Sequence, residues 1–266
     1  MRTKPALFPR VAVTAAILAA LGLWNTPLWA DDDVDEAGET PQPLNDFFQS
    51  DSVFPQEQGE WQVSIGADYI KSDAGKVTTL TTGLEYGITD SLQVELEHTP
   101  YIKIKPGDAD EATLDGQGNT ELGLKKSWMH IGGSPNSVAV GYEHEFANGD
   151  DDVIADEDEE ASDSDTVHIT LARDLDTTGN TQASLQVGRE MADAGDENFA
   201  NLAAFHAVGR HVFTGEYNWS DEESWVTPGV YWKPAKGLDV GAAVAFGVGD
   251  TDGNRALLLR LNYEWD

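Results

Sequence analysis

Residues 79–101 alternate apolar and polar side chains with a period of two. A short turn at residues 89–91 divides the stretch in two. The apolar members are Leu80, Leu84, Tyr86 and Ile88 before the turn, and Leu92, Val94 and Leu96 after it. The pattern predicts two antiparallel strands joined by a tight turn, with one apolar face and one face of Thr, Gly, Gln and Glu.

The same alternation recurs along the chain and predicts twelve strands. Apart from the opening pair in residues 79–101, they lie near residues 60–71, 119–129, 137–147, 166–174, 181–191, 224–233, 237–248 and 255–265, and two more share residues 198–219, divided near Gly209. No window shows a sustained helical period. An all-β fold follows, with strands of the length that crosses a bilayer when tilted.

The connections between these strands fall into two alternating classes. One class, at residues 89–91, 130–136, 174–180, 209–211 and 234–237, has few acids; the other, at residues 72–76, 104–118, 148–165, 192–197, 220–224 and 249–254, is more acidic. A soluble β-sandwich would also have strands with one apolar and one polar face. It gives no reason, however, for every second connection to be more acidic. An outer-membrane barrel does, because its short turns and longer loops lie on opposite sides. We therefore predict a closed, transmembrane, antiparallel up-and-down β-barrel over residues 59–266.

Period-two geometry then assigns the two faces of the barrel. The apolar face meets lipid, with interface aromatics at Trp61, Tyr69, Tyr86, Trp128, Tyr142, Trp232, Tyr263 and Trp265. The polar face lines the lumen, with candidates Glu85, Glu95, Glu97, Glu121, Lys125, Glu143, Glu145, Glu190 and Arg260. We expect Glu95, Glu121, Lys125 and Glu143 to form one cross-strand network. Such a network favours passage of cations or neutral solutes, or else fills and rigidifies a narrow barrel.

The N-terminus predicts export. Basic residues precede an apolar run at residues 11–23, and Ala30 stands just before three aspartates, as in a cleaved signal peptide spanning residues 1–30. Residues 31–58 are acidic and contain three prolines, so we expect a linker that packs little, with Phe47, Phe48 and Phe54 close to the barrel mouth. The predicted location is the outer membrane of a Gram-negative cell.

Charge and cysteine content exclude several classes of protein. The formal net charge of −32 excludes a nucleic-acid-binding protein that depends on a basic patch, and the chain has no cysteine for a disulfide. The six histidines are scattered, and no two of them have the spacing of a zinc site together with a third ligand residue. We therefore predict no metal, no cofactor and no enzymatic activity. The expected surroundings are outer-membrane lipid and lipopolysaccharide.

Three segments carry a family resemblance. Residues 83–94 read GLEYGITDSLQV, residues 118–125 read GNTELGLK, and residues 141–150 read GYEHEFANGD. They resemble recurring segments of outer-membrane transporters of the meta-pathway phenol-degradation family, with Asn119 in place of an aspartate. The alternating apolar residues before Trp265 also resemble the C-terminal signal that the barrel assembly machinery recognises.

The resemblance implies passage of small, often hydrophobic or aromatic, molecules. We therefore predict an outer-membrane channel or transporter for a small-molecule substrate. The alternative is a closed barrel with a structural or surface-interaction role and no transport.

Overall fold

The computed structural model describes residues 43–108, 110–154, 161–193, 195–221 and 223–266. Twelve antiparallel strands form a closed barrel, because each pairs with its neighbours and the last pairs with the first. The predicted all-β closed barrel is thereby confirmed. The strands are β1 (Trp61–Lys71), β2 (Gly75–Thr89), β3 (Leu92–Pro106), β5 (Thr120–Trp128), β6 (Asn136–Phe146), β7 (Ser164–Asp174), β8 (Thr181–Ala192), β9 (Glu197–Val208), β10 (His211–Ser220), β11 (Ser224–Ala235), β12 (Leu238–Gly247) and β13 (Arg255–Trp265), with a short β4 (Leu114–Gly116) outside the barrel ring. The predicted signal peptide and residues 31–42 lie outside the described residues.

The hairpin of β2 and β3 is longer than the sequence predicted. Each strand has 15 residues, and pairing continues to Gly75 opposite Pro106. Ile102 and Ile104 continue the period-two alternation beyond residue 101, where the predicted strand ended, and into the connection predicted at residues 104–118. Beyond it, β4 pairs only with β3, which adds a short thirteenth strand to the twelve of the barrel.

Large apolar side chains cover the outside of the barrel. On β13 the outward residues Leu257, Leu259, Leu261, Tyr263 and Trp265 are each at least 38% exposed, whereas Ala256 and Leu258, at alternate positions, are buried. The same alternation occurs on the other long strands. This exterior is unsuited to water and suited to the hydrocarbon of a bilayer.

The two ends of the barrel differ, as the connections predicted. Short connections at residues 90–91, 129–135, 175–180, 209–210 and 236–237 lie at what we call the turn end, together with the start of β1 and the end of β13. Gly209, with φ 57°, lies in the turn predicted between β9 and β10. The other connections lie at what we call the loop end.

Helical structure is minor among the described residues. It consists of α1 (Asp151–Ile154) and two 3-10 turns, Ile131–Gly133 and Gly249–Thr251. No helix in the described ranges is both long enough and apolar enough to cross a membrane.

Residues 43–58, which we call the plug segment, fold back into the barrel. Asp46 and Asp51 pair as an antiparallel bridge, so the segment makes a hairpin-like loop. Its apolar side chains Leu44, Phe47, Phe48, Val53 and Phe54 are at most 4% exposed. The expectation that this region packs little is wrong for its described part, because inward-facing side chains of the barrel wall provide the surface against which it packs.

Candidate functional site: a plugged lumen

Both ends of the plug segment are held at the turn end. Asn45 donates from its side chain to Gln62 at 2.7 Å and also to Glu264, and both acceptors lie near the joined ends of β1 and β13. Eleven residues later, the Gln56 N–H donates to the side chain of Gln93, at the start of β3, at 3.0 Å. The loop therefore enters and leaves the lumen at the same end of the barrel.

Glu85 is the centre of a hydrogen-bond cluster beside the contact between Gln56 and Gln93. Its carboxylate accepts from the amides of Gln62 at 2.5 Å, Gln93 at 2.7 Å and Gln56 at 3.1 Å. Gln62 lies on β1 and Gln93 on β3, the two strands that flank the Glu85 strand β2, whereas Gln56 belongs to the plug segment. One buried carboxylate thus joins the plug segment to the barrel wall.

The tip of the plug segment reaches the middle of the barrel. The Glu216 carboxylate on β10 accepts the N–H groups of Phe48 at 3.0 Å and Gln49 at 3.2 Å. The Arg260 guanidinium on β13, three strands away from β10, donates to the Phe48 carbonyl at 2.9 Å and also pairs with Asp68 on β1. Charged side chains of β10 and β13 therefore satisfy the hydrogen-bonding groups of the backbone at the tip.

Two carboxylates of the plug segment face charged or titratable groups of the wall. Asp46 lies 3.4 Å from the Lys125 ammonium, and Asp51 lies 3.3 Å from His168 Nε2. Gln186 also donates to Asp51 at 2.8 Å. Lys125, predicted to oppose the lumen glutamates, therefore makes its close ion pair with the plug segment.

One side of the lumen is apolar, although the alternation predicted a polar lining. Phe47 and Phe54 both pack on Phe205 with ring centroids 6.2 Å apart, and Phe48 stacks on Tyr231 at 4.5 Å. The inward residues of this side are Phe205, Val212, Trp225, Tyr231 and Leu258. Each is bulky yet occupies a position on the polar face of its strand. Bulky apolar residues on an otherwise polar face were the signal in the sequence that something packs inside the barrel.

The loop-end half of the lumen carries an acidic row. Glu97 on β3, Glu121 on β5 and Glu145 on β6 lie directly opposite one another in register. Like charges opposite each other destabilise a sheet, so this arrangement is not explained by strand pairing. Asn119 donates to Glu145 at 2.8 Å.

The remaining predicted lumen residues also face inward. Glu95 and Glu143 converge over Gly123, where an added Cβ would be 3.4 Å from Glu95 and 3.7 Å from Glu143. Glu190 lies on β8 between the exposed Arg189 and Met191. Of the four residues expected to form one network, Glu95 and Glu143 converge over Gly123, Glu121 belongs to the acidic row, and Lys125 on β5 pairs with Asp46 of the plug segment.

The predicted interface aromatics all point outward, at two levels. Trp61 is opposite both Trp265 and Tyr86 in register, and its ring lies 4.5 Å from that of Tyr86. The turn-end group consists of Trp61, Tyr86, Trp128, Trp232, Tyr263 and Trp265; Tyr69 and Tyr142 lie nearer the loop end. This is the placement expected at the two interfaces of a bilayer.

One metal-ligand set was absent from the sequence prediction. Asp51, Glu143 and His168 each bring a ligand atom to within 4.8 Å of those of the other two. They come from the plug segment, β6 and β7, so no short spacing in the sequence could reveal them.

Comparisons with known proteins show the fold. No protein-family model matches the chain, and no curated protein is similar to it in sequence. Among solved structures, an outer-membrane channel from Pseudomonas putida F1 is similar with a TM-score of 0.60 and 10% identity, covering 80% of this chain and 98% of that one. The KdgM porin is similar with a TM-score of 0.55 and 9% identity, covering 76% of this chain and 99% of that one. The NanC porin is similar with a TM-score of 0.54 and 6% identity, covering 76% of this chain and 98% of that one. The family suggested by the three sequence segments stays a prediction, and the fold of this chain is that of outer-membrane porins and channels.

Proposed function

We propose that this chain is an outer-membrane channel whose lumen is closed by its own plug segment and opens when that segment moves. The single observation that carries the proposal is the mode of attachment. The plug segment enters and leaves at the turn end and is held at its tip by side-chain contacts from Glu216 and Arg260. Hydrogen bonds and ion pairs of this kind can break and reform without any change in the barrel.

The acidic row supports transport over a purely structural role. A barrel that only needed rigidity would gain nothing from Glu97, Glu121 and Glu145 in direct opposition. Carboxylates at the loop-end approach to the plug segment raise the local concentration of cations and repel anions. The substrate class that this supports is small cationic or neutral molecules. The alternative, a closed barrel with a structural or surface role, is an outcome of the test below.

The proposed surroundings follow from the fold and the exterior. The apolar strand faces meet outer-membrane lipid, and the acidic loops of the loop end meet lipopolysaccharide through divalent cations. The final strand ends on Tyr263 and Trp265, whose stacked rings lie 5.7 Å apart, and we propose that the barrel assembly machinery recognises this strand. We also propose that the chain is exported with a signal peptide, residues 1–30, that is then cleaved. No enzymatic role is proposed.

Conductance in planar bilayers tests the proposal. We expect the wild-type protein to open rarely, and a variant lacking residues 44–55 to conduct steadily with a larger amplitude. Gln58→Ala is the matched control, because Gln58 belongs to the same segment but is exposed. All three proteins must first show the same heat-modifiable migration of a folded barrel. A deletion variant that is folded and still does not conduct would reject the channel and favour the structural barrel.

A further inference from the structure

Asp51, Glu143 and His168 form a compact group at the contact between the plug segment and the barrel wall. His168 Nε2 lies 3.3 Å from Asp51 Oδ2, and His168 Nδ1 lies 3.5 Å from Glu143 Oε1. Asp51 belongs to the plug segment, whereas Glu143 and His168 belong to the adjacent strands β6 and β7. Any ligand held by all three residues would join the plug segment to the wall.

His168 has an unused donor or acceptor inside this group. The residue is 3% exposed, and its Nε2 has no hydrogen-bond partner despite its closeness to Asp51. A buried polar atom normally has a partner, because leaving it without one costs about 1–3 kcal/mol in net stability. A buried imidazole nitrogen that lies 3.3 Å from a carboxylate and yet makes no hydrogen bond to it is therefore the observation that calls for a ligand.

The surrounding backbone makes room for the imidazole ring. A Cβ on Gly141 would lie 2.1 Å from His168 Cε1, and one on Gly188 would lie 2.8 Å from His168 Cβ. Both glycines are directly opposite His168 in the sheet register. The ring therefore has a place of its own against the wall, with its edge toward Asp51.

The local charge favours a cation. Glu121 lies on the neighbouring strand β5 and Glu95 on β3 beyond it. The Lys125 ammonium, which makes an ion pair with Asp46 at 3.4 Å, also acts on Asp51 and Glu143. Two ligating carboxylates beside two further glutamates, with one ammonium among them, leave net negative charge inside a protein interior, which is costly unless it is compensated.

We propose that Asp51, Glu143 and His168 bind one divalent transition-metal ion, with zinc as the best fit, and that the ion fastens the plug segment to the wall. Imidazole and carboxylate are zinc ligands at about 2.0–2.2 Å, and two ligands of a tetrahedral ion at that distance are about 3.3–3.5 Å apart. His168 would bind the ion through Nε2, which lies 3.3 Å from Asp51 Oδ2, and the Glu143 side chain, now beside Nδ1, would turn toward the same ion. Water from the lumen completes the fourth position.

Gln186 holds the proposed ligand Asp51 in position. Its amide donates to Asp51 Oδ2 at 2.8 Å, which orients the carboxylate toward His168. Such hydrogen bonds to a ligating carboxylate hold it in position and raise metal affinity. Because the ion binds residues on both the plug segment and the wall, it binds the closed form and stabilises it. That consequence rests on the proposed channel, whereas the metal site itself does not.

Zinc binding by the purified full chain in detergent tests the site directly. The titration is done by calorimetry in millimolar calcium and magnesium, which occupy the diffuse acidic surface. We expect one equivalent of zinc to bind wild type, and His168→Gln and Asp51→Asn each to weaken binding by about 10-fold or more. Asp51 lies outside every strand, so Asp51→Asn keeps the barrel even if His168→Gln disturbs it.

His144→Gln is the matched control. His144 is partly exposed and lies 2.9 Å from Asp165, so it is the rival site for adventitious zinc. Unchanged binding in His144→Gln supports the proposal, and loss of binding in His144→Gln with retention in His168→Gln overturns it. Equal affinity in wild type and Asp51→Asn also overturns it, because the plug segment would then contribute no ligand. Zinc binding with these properties in a protein that never conducts would keep the site and reject the channel.

Discussion

The Glu216 carboxylate accepts the N–H of Phe48 with a distance of 3.0 Å, and this contact joins the middle of β10 to the tip of the plug segment. The same carboxylate also accepts from Gln49 and Ser50. Glu216 is fully buried, so water cannot replace these partners when the plug segment is in place. Charge-assisted hydrogen bonds to Glu216 therefore hold the tip of the plug segment in the closed state.

Glu216→Gln is expected to increase the open fraction of the channel. Glutamine retains one oxygen but presents an NH2 group to one of the backbone donors. Losing one hydrogen bond to a charged acceptor costs about 1.5–3 kcal/mol, equivalent to roughly a 10-fold to 100-fold change in the closed-to-open ratio. Single-channel recording measures that ratio. Glu190→Gln, on the wall of β8 away from these contacts, is the control, and equal open fractions in the two variants would contradict the prediction.

Removing the Arg260 side chain is expected to destabilise the folded barrel. Arg260→Leu leaves Asp68 without its partner and the Phe48 carbonyl without a donor. The pair with Asp68 is partly buried, so removing one member should cost up to about 3–5 kcal/mol, the range for a buried pair, in the free energy of unfolding. Arg189→Leu breaks the exposed pair with Asp196 and should cost under about 1 kcal/mol. Urea unfolding in detergent compares them, and similar losses would show that the Arg260 contacts are not special.

The barrel could be predicted from the sequence, whereas its contents could not. Strand parity placed Leu84 outward and Glu85 inward because each strand repeats the same two-residue geometry. The plug segment has no such period, and its burial depends on single side chains such as Phe48. Contacts such as Asp51 with His168 join residues more than a hundred positions apart, so no local spacing indicates them. The one available signal was bulk at inward positions, as at Phe205 and Tyr231, where a watery lumen needs none.

Gly141→Ala is expected to disturb His168 specifically. The new methyl group would lie 2.1 Å from His168 Cε1, so the buried ring must move. Overpacking of this kind typically lowers the free energy of unfolding by about 1–3 kcal/mol. His168→Ala in the same chain removes the clash, so the double variant should be more stable than Gly141→Ala alone. Unfolding of the four proteins of this cycle measures the coupling.

Gly123→Ala is the control for that cycle. An added Cβ there would be 3.4 Å from its nearest neighbour, an ordinary contact, so we expect little change. Failure of His168→Ala to recover any stability in the Gly141→Ala chain would show that the ring is not what the methyl group meets.

The loop end is expected to face the cell exterior. A protease added to intact cells should cut within residues 148–165 and spare residues 130–136 and 174–180, because barrels of this kind place long loops outside and short turns in the periplasm. Immunoblotting of the fragments from intact and permeabilised cells measures the difference. Cleavage of the short turns in intact cells would reverse the orientation, and with it the side from which the plug segment enters the lumen.

The acidic row is expected to set ion selectivity. Glu97, Glu121 and Glu145 are directly opposed on β3, β5 and β6, so their combined field acts on any ion that approaches from the loop end. Changing all three to glutamine in the chain that lacks residues 44–55 should reduce the cation preference and leave the fold intact, because lumen substitutions do not touch lipid. Reversal potentials across a salt gradient measure the preference, which should also weaken near 1 M salt, where the Debye length is about 3 Å. The control replaces the exposed loop residues Asp108, Asp110 and Glu111 by their amides and removes the same charge at a distance from the row. Equal reversal potentials in the two triple variants would show that the acidic row does not line the path of the ions.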